Sequence, residues 1–172
     1  LTQDDVTGAV YETPVKIAGA ISAPITPTVN SETLFADDGP TETATALGEI
    51  TVELQVKDLP LQVQADLLGH QLENGVLIRS ADDNAPYVAL GFRSLKSNGK
   101  YGYVWLYKGK FAPPEQQYQT KEDTPAFQTP TITGTFVKRE YDDAWQAVGD
   151  EDEPGFTDGA TWFDAVYEKP AT

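Results

Sequence analysis

Residues able to perform chemistry are few in this sequence of 172 amino acids. His70 is the only histidine and cysteine is absent, so a cysteine nucleophile and a thiolate metal site are both excluded. A serine–histidine pair would have to use His70, and no nucleophile-elbow, phosphate-loop or dinucleotide-binding spacing accompanies it. A lone histidine is more typical of a helix-end neighbour than of a base. We therefore predict that the chain is not an enzyme and needs no cofactor.

The 27 acidic residues include one pattern similar to a metal site. Asp150 and Asp152 match the first and third positions of a calcium-binding loop. However, Pro154 occupies the fifth position, and Thr161 occupies the twelfth, where a bidentate glutamate belongs. We therefore interpret residues 149–160 as a solvated acidic loop and predict no metal site. Pairs of carboxylates for a hydrolase are equally unspecific in so acidic a chain.

The formal net charge of −15 is concentrated at the two ends of the chain. Residues 1–50 contain eight acidic residues and one basic residue, and residues 140–172 contain ten and one. The intervening residues 51–139 are nearly neutral, with nine acidic and ten basic residues. Such a chain is a poor partner for nucleic-acid phosphates and for anionic membranes. The longest mostly apolar stretch, Ile17–Val29, contains two prolines and is too short to span a bilayer.

Alternating apolar residues predict a central β-hairpin. The runs Tyr87–Leu95 and Tyr101–Lys108 each alternate with period two, which is typical of strands. Between them, Asn98-Gly99 is the pair that most readily forms a tight turn with positive φ angles. The second run places four aromatic side chains on one face: Tyr101, Tyr103, Trp105 and Tyr107.

Two further strands are predicted to carry a polar, threonine-containing face each. In Glu49–Lys57 the polar face alternates with a fully aliphatic face, so one side is buried and the other meets water. Phe127–Glu140 has a similar pattern, and the two strands are predicted to be neighbours in one sheet. The polar side chains in question are Thr51, Glu53, Gln55, Thr131, Thr133 and Thr135.

The remaining elements are shorter. One helix is predicted at Leu59–Leu68, with Asp58 as its N-cap and Gly69 at its end. Residues 1–14 are predicted to form a mobile N-terminal arm, and residues 169–172 a C-terminal tail. Weaker strand patterns occur at Val15–Ile21, Val76–Arg79, Ala144–Val148 and Thr161–Glu168.

Residues 30–45 are predicted to form a long loop, because they are polar and contain an Asp-Gly-Pro turn signal. Leu34 and Phe35 are large apolar residues within this polar segment. They either dock on another molecule or fold back onto their own domain.

Several stretches resemble the major tail protein of long-tailed bacteriophages, of the phi13 type. The resemblance covers nearly the whole chain, which it implies is a single tail tube domain of residues 1–172. It implies a mainly β fold, a β-sandwich or small barrel flanked by one α-helix, with a long loop and extended terminal arms. The stretches that carry it are Leu90–Tyr101, Tyr103–Pro114, Phe127–Thr131, Phe35–Gly39 and Trp162–Tyr167.

The resemblance implies a structural subunit that assembles into hexameric rings, stacked around a tape-measure protein into a tail tube. Genomic DNA would pass through the lumen without specific binding, and tail terminator and tail-tip proteins would be further partners. The expected location is the virion tail, after assembly in the host cytoplasm, with no membrane association. The lumen-facing residues would be the six polar side chains named above. The loop 30–45 would pack on the next ring through Leu34, Phe35, Asp37 and Asp38.

The alternative is a monomeric carbohydrate-binding β-sandwich module. It would stack sugars on exposed aromatic residues such as Tyr101, Tyr103 and Trp105. This alternative predicts a stable monomer with a shallow aromatic groove, whereas a tube subunit should form rings or tubes.

Overall fold

The computed structural model describes residues 1–17, 19–36, 39–114 and 129–170, and of residues 32–44 it describes only the backbone. It confirms the predicted class, a mainly β, sandwich-type fold of antiparallel strands flanked by one α-helix. The elements are β1 (Gln3–Asp5), β2 (Gly8–Val10), β3 (Ala20–Ser22), β4 (Ile25–Ala36), β5 (Gly39–Val56), α1 (Leu61–Leu68), β6 (Gln71–Glu73), β7 (Val76–Ile78), β8 (Val88–Leu95), β9 (Tyr101–Phe111), β10 (Thr131–Val137) and β11 (Gln146–Asp150).

Seven strands form the main sheet. The long strand β9 pairs with β8 along one edge, and β10 and β11 share its other edge. β10 pairs in turn with β5, whose far edge carries β3 and β4. The pairs β1–β2 and β6–β7 are separate two-stranded hairpins. β8 and β4 therefore lie at opposite borders of the main sheet.

The predicted central hairpin is present, but its turn differs from the prediction. Leu95 pairs with Tyr101, and the loop between them closes through a 2.8 Å hydrogen bond from the Lys96 amide to the Lys100 carbonyl. Only Gly99 has a positive φ, of 83°, so the turn is longer than a two-residue Asn-Gly turn. A two-residue turn with both φ angles positive instead joins β6 to β7 at Asn74-Gly75.

One face of the main sheet packs against α1 to form the first hydrophobic core. The alternation predicted for β5 and β10 is confirmed, because their aliphatic and aromatic residues are buried on this face. Core residues from the sheet and the helix include Ile50, Val52, Leu54, Val56, Leu106, Phe111, Ile132, Phe136, Leu67 and Leu68.

The helix begins two residues later than predicted. Its N-cap is Pro60, whose ψ of 147° is extended, and Asp58 does not cap it. The Gln64 side chain donates a 2.8 Å hydrogen bond to the Leu59 carbonyl and so ties the first turn to the preceding residues. Gly69 ends the helix with a φ of 72°, as predicted.

The segment predicted as a long loop is a β-hairpin in the part of the chain that the structure describes. β4 and β5 pair from Ile25–Val52 to Ala36–Gly39. The pairing of β5 with β10 ends at Ile50. On the N-terminal side of Ile50, β5 pairs only with β4. We call residues 28–36 and 39–49 the hairpin arm, which extends over about 30 Å of strand.

Two terminal segments also differ from the predictions. Residues 161–168, predicted as a last strand, form turns and irregular backbone that cover the sheet. The N-terminal segment, predicted to be mobile, forms the β1–β2 hairpin and docks on the sheet through Asp4. Of the strand predicted at Val15–Ile21, only the three-residue β3 is formed, shifted to Ala20–Ser22.

Candidate assembly surface

The sheet face opposite α1 is the candidate functional surface. Leu106 and Phe111 both point into the first core although they are five residues apart, because a shift of register between β8 and β9 absorbs one residue. Trp105 and Lys110 therefore share the opposite face. Lys110 pairs across the sheet with Thr135, so this face continues from β9 onto β10 and β5.

The β10–β5 half of this face is polar and open. Three cross-strand pairs form it: Thr131–Gln55, Thr133–Glu53 and Thr135–Thr51. Glu53 and the three β10 threonines are exposed, and Thr51 and Gln55 are half-buried. The Gln55 amide donates a 3.0 Å hydrogen bond to the Thr129 hydroxyl. The structure thus brings all six residues predicted to face a lumen onto one surface, although their lumenal role stays a prediction.

A lysine marks the border of this polar half. Lys110 Nζ donates a 3.1 Å hydrogen bond to the Asn84 side chain and lies 4.6 Å from the centre of the Tyr87 ring. Strict alternation from Trp105 would place Lys110 on the α1 side of β9. The register shift between Leu106 and Gly109 moves it to this face, and the sequence did not indicate that shift.

The β8–β9–β11 half of the same face is aromatic and covered. Tyr103, Trp105 and Trp162 form a second buried cluster. The Trp105 indole donates a 3.0 Å hydrogen bond to the Trp162 carbonyl, and Trp162 stacks on Tyr167 with ring centres 5.0 Å apart. Residues 156–167 therefore cover this half with side chains of the same chain.

This covering removes two of the three aromatic residues on which the carbohydrate-binding alternative relies. Tyr103 and Trp105 are each 3% exposed, so neither can stack on a sugar. Tyr101 is half-buried, and the guanidinium of Arg93 lies 4.5 Å from its ring centre.

The N-terminal hairpin is held at the seam between the two halves by a buried ion pair. Asp4 lies 2.7 Å from Lys108 Nζ and also accepts hydrogen bonds from the amides of Glu140 and Tyr141. Burial alone would raise the pKa of Asp4, but these donors lower it below its ordinary value. Burial would likewise lower the pKa of Lys108, and its bonds to Asp4 and Glu140 raise it.

Arg139 joins both terminal segments and was not singled out from the sequence. Its side chain is 1% exposed and forms bidentate hydrogen bonds with Asp142 and Glu168. It also donates to the Tyr11 hydroxyl at 3.4 Å and lies 3.9 Å from the centre of the Tyr107 ring. Burial would lower the pKa of Arg139, but the two carboxylates raise it. The sequence feature that could have indicated this role is the position of Arg139, directly before a segment with ten acidic residues.

The acidic loop pairs with the turn of the central hairpin. Lys96 Nζ lies 2.8 Å from Asp150 and also binds Asp152, which in turn lies 2.8 Å from Lys100 Nζ. Hydrogen bonds from Lys100 and Lys96 lower the pKa of Asp152. These carboxylates therefore hold ammonium groups. In the described residues no cluster of three potential metal ligands occurs.

His70 follows the end of α1, as predicted. Its Nδ1 lies 2.6 Å from an Asp83 oxygen, and the Ser80 amide donates to the same oxygen at 2.8 Å. The hydrogen bond from the Ser80 amide lowers the pKa of Asp83 most, and the contact with His70 lowers it further. The pair ties the helix end to the loop after β7.

The predicted inter-ring residues belong to the hairpin arm or lie outside the described residues. Leu34 and Phe35 lie near the end of β4, and Asp37 and Asp38 are outside the described residues. Among the helices described, none is long and apolar enough for a membrane crossing.

Comparison with known proteins identifies the family. The sequence profile of the family described as phage tail tube protein matches residues 6–168, nearly the whole chain. Among curated protein sequences, none matches this chain significantly. The antiparallel β architecture fits the profile match. The chain belongs to the phage tail tube protein family, whose members are structural components of the virion tail.

Proposed function

We propose that this chain forms hexameric rings that stack around a tape-measure protein into the tail tube. The observation that carries the proposal is the open polar half of the main sheet. Among the described residues this half is uncovered, although it lies in the middle of the sheet next to the covered aromatic half. A family of tube subunits needs such a surface, since each copy must contribute a wall to the channel.

The chemistry of this surface suits passage of DNA. Hydroxyl and amide groups of the threonines and Gln55 offer phosphates no cation, and Glu53 repels them. Two cations border this surface in the described part of the chain: Lys110 is held by Asn84 and Tyr87, and the exposed Lys57 follows just beyond the end of β5. Genomic DNA would therefore pass through without specific binding.

The borders of the sheet provide a route to ring closure. β8 and β4 have one unpaired edge each among the described residues, and unpaired edges readily add a strand from another copy. Pairing between the two borders would close a ring in the host cytoplasm. Tail terminator and tail-tip proteins would complete the two ends of the tube.

The hairpin arm is proposed to contact the next ring. Its length of about 30 Å is sufficient to leave the body of the subunit. Leu34, Phe35, Asp37 and Asp38 would supply apolar and charged contacts near its end.

Electron microscopy of the concentrated, intact protein tests the assembly. We expect rings or tubes, whereas a persistent monomer would contradict the proposed function. A variant in which Asn-Gly replaces residues 31–45 joins the paired residues Asn30 and Ala46 by a tight turn. We expect this variant to form rings without stacking them, and tubes of normal length would show that the arm is not an inter-ring contact.

The lumenal assignment has a separate test, because the chain contains no cysteine. A Thr133→Cys variant should react with a large polyethylene-glycol maleimide as a monomer and become protected in assembled tubes. Equal labelling before and after assembly would place Thr133 outside the channel. Labelling after disassembly of the same tubes controls for loss of the thiol.

A further inference from the structure

The base of the hairpin arm carries an unusual apolar pair. Val29 and Leu47 face each other across β4 and β5 and are 59% and 40% exposed. Glu49, two residues further along β5, is also exposed. A register shift lies between Leu47 and Ile50, so Val29 and Leu47 form a small apolar patch on the α1 side, whereas Glu49 shares the opposite face with Thr51.

A complementary patch lies at the opposite border of the sheet. Leu95, at the end of β8, is 64% exposed and pairs directly with Tyr101. Next to them opens a shallow cleft of about 460 Å³, lined by Arg93, Tyr101 and Phe156 among others. Tyrosine, arginine and phenylalanine are the residue types that most often dominate protein interfaces.

Arg93 is the charged group of this patch. Its guanidinium stacks on Tyr101, and in the described part of the chain it forms no ion pair with a carboxylate. The nearby Glu151 is already engaged, because it accepts hydrogen bonds from the Tyr103 hydroxyl and the Tyr101 amide. Arg93 also hydrogen-bonds with Tyr103 and remains an exposed cation at the rim of this patch.

The topology places the two patches where neighbouring copies can meet. β5 and β9 both run antiparallel to β10. The N-terminal parts of both strands therefore extend beyond Val137, the last residue of β10. The hairpin arm and the Tyr101 end of β9 therefore lie at the same end of the sheet. Since β4 and β8 lie at opposite borders, one copy can present its arm to the cleft of the next, a heterologous contact that a rotation can close into a ring.

We infer that Val29 and Leu47 of one copy pack against Leu95 and Tyr101 of the next copy around the ring. This contact rests on the proposed ring assembly. It assigns the base of the arm to the neighbour within the ring and leaves the far end of the arm for the next ring.

Crosslinking tests the contact. In the cysteine-free chain, Leu47→Cys combined with Leu95→Cys provides the only two thiols. A short bismaleimide added to assembled protein should give a ladder of covalent oligomers on a denaturing gel. The matched control combines Leu47→Cys with Val148→Cys, because Val148 is 66% exposed but lies on β11, away from the β8 border. The control should give mainly monomer.

The outcomes separate this inference from the proposed function. If the intact protein forms no rings or tubes, the proposed function fails. If rings form and the Leu47/Leu95 variant gives no ladder, or the Val148 control gives an equal one, only the contact is wrong.

Discussion

The two halves of one sheet face differ in how much of their side-chain surface is buried. On the β8–β9–β11 half, aromatic side chains are covered by residues 156–167 of the same chain. On the β10–β5 half, Glu53 and the three β10 threonines remain open to solvent. The difference shows which surface the chain covers with its own side chains and which one it leaves open to solvent.

The cover over the aromatic half should be the most sensitive to mutation. Trp162→Ala removes a side chain that is 4% exposed, stacks on Tyr167 and contacts Tyr103. We expect a loss of about 3–5 kcal/mol in the free energy of unfolding, measured by chemical denaturation. A loss below about 1 kcal/mol would show that the two halves do not differ in the way described.

The seam between the halves should respond to pH. Asp4→Asn removes the charge that holds Lys108 and should cost about 2–3 kcal/mol at neutral pH. Because the pKa of Asp4 is lowered in the folded protein, its contribution is complete above the ordinary value of 3.8 and is lost as the pH falls below it. Denaturation curves of wild type and variant should therefore converge at low pH. A constant difference down to pH 2 would contradict this role.

Close packing within the aromatic half gives a smaller effect with a matched control. A Cβ at Gly91 would lie 2.6 Å from ring carbons of Trp105, so Gly91→Ala should cost about 1–3 kcal/mol. A Cβ at Gly102, on the neighbouring strand β9, would meet nothing within 4 Å. Thermal denaturation should distinguish the two alanine variants, and equal melting temperatures would contradict the packing described.

The open half should give the smallest effect on stability. Thr133→Val keeps the β-branched shape on an exposed strand position and should change the free energy of unfolding by less than about 0.5 kcal/mol. A loss comparable to that of Trp162→Ala would indicate that Thr133 belongs to a packed surface. Circular dichroism during urea titration provides the measurement.

The same contrast explains what the sequence could predict. β5 and β10 bury one face and expose the other, so period two is visible in their residues, and even their adjacency could be predicted. The hairpin arm includes exposed residues such as Val29 and Ser31, and without a buried face the alternation that marks a strand is absent. The register shift that moves Lys110 onto the polar face depends on pairing with β8, which no local pattern contains.

The aromatic cover illustrates the converse error. Residues 161–168 have strand-like composition, but they form turns and irregular backbone in which Trp162 packs against Tyr103 of β9. Arg139 escaped notice for a related reason. Its partners Tyr11 and Glu168 are far away in the sequence, and only the folded chain brings them together.

The narrow connection between the two halves has a mechanical meaning. β10 is the strand that joins them, and it reaches β9 only through its last four residues, Gly134–Val137. The other face of the sheet compensates, because residues of β5, β8, β9 and β10 share the first hydrophobic core. Under a sideways load the two halves should therefore move together, held by that shared core instead of by the short ladder alone.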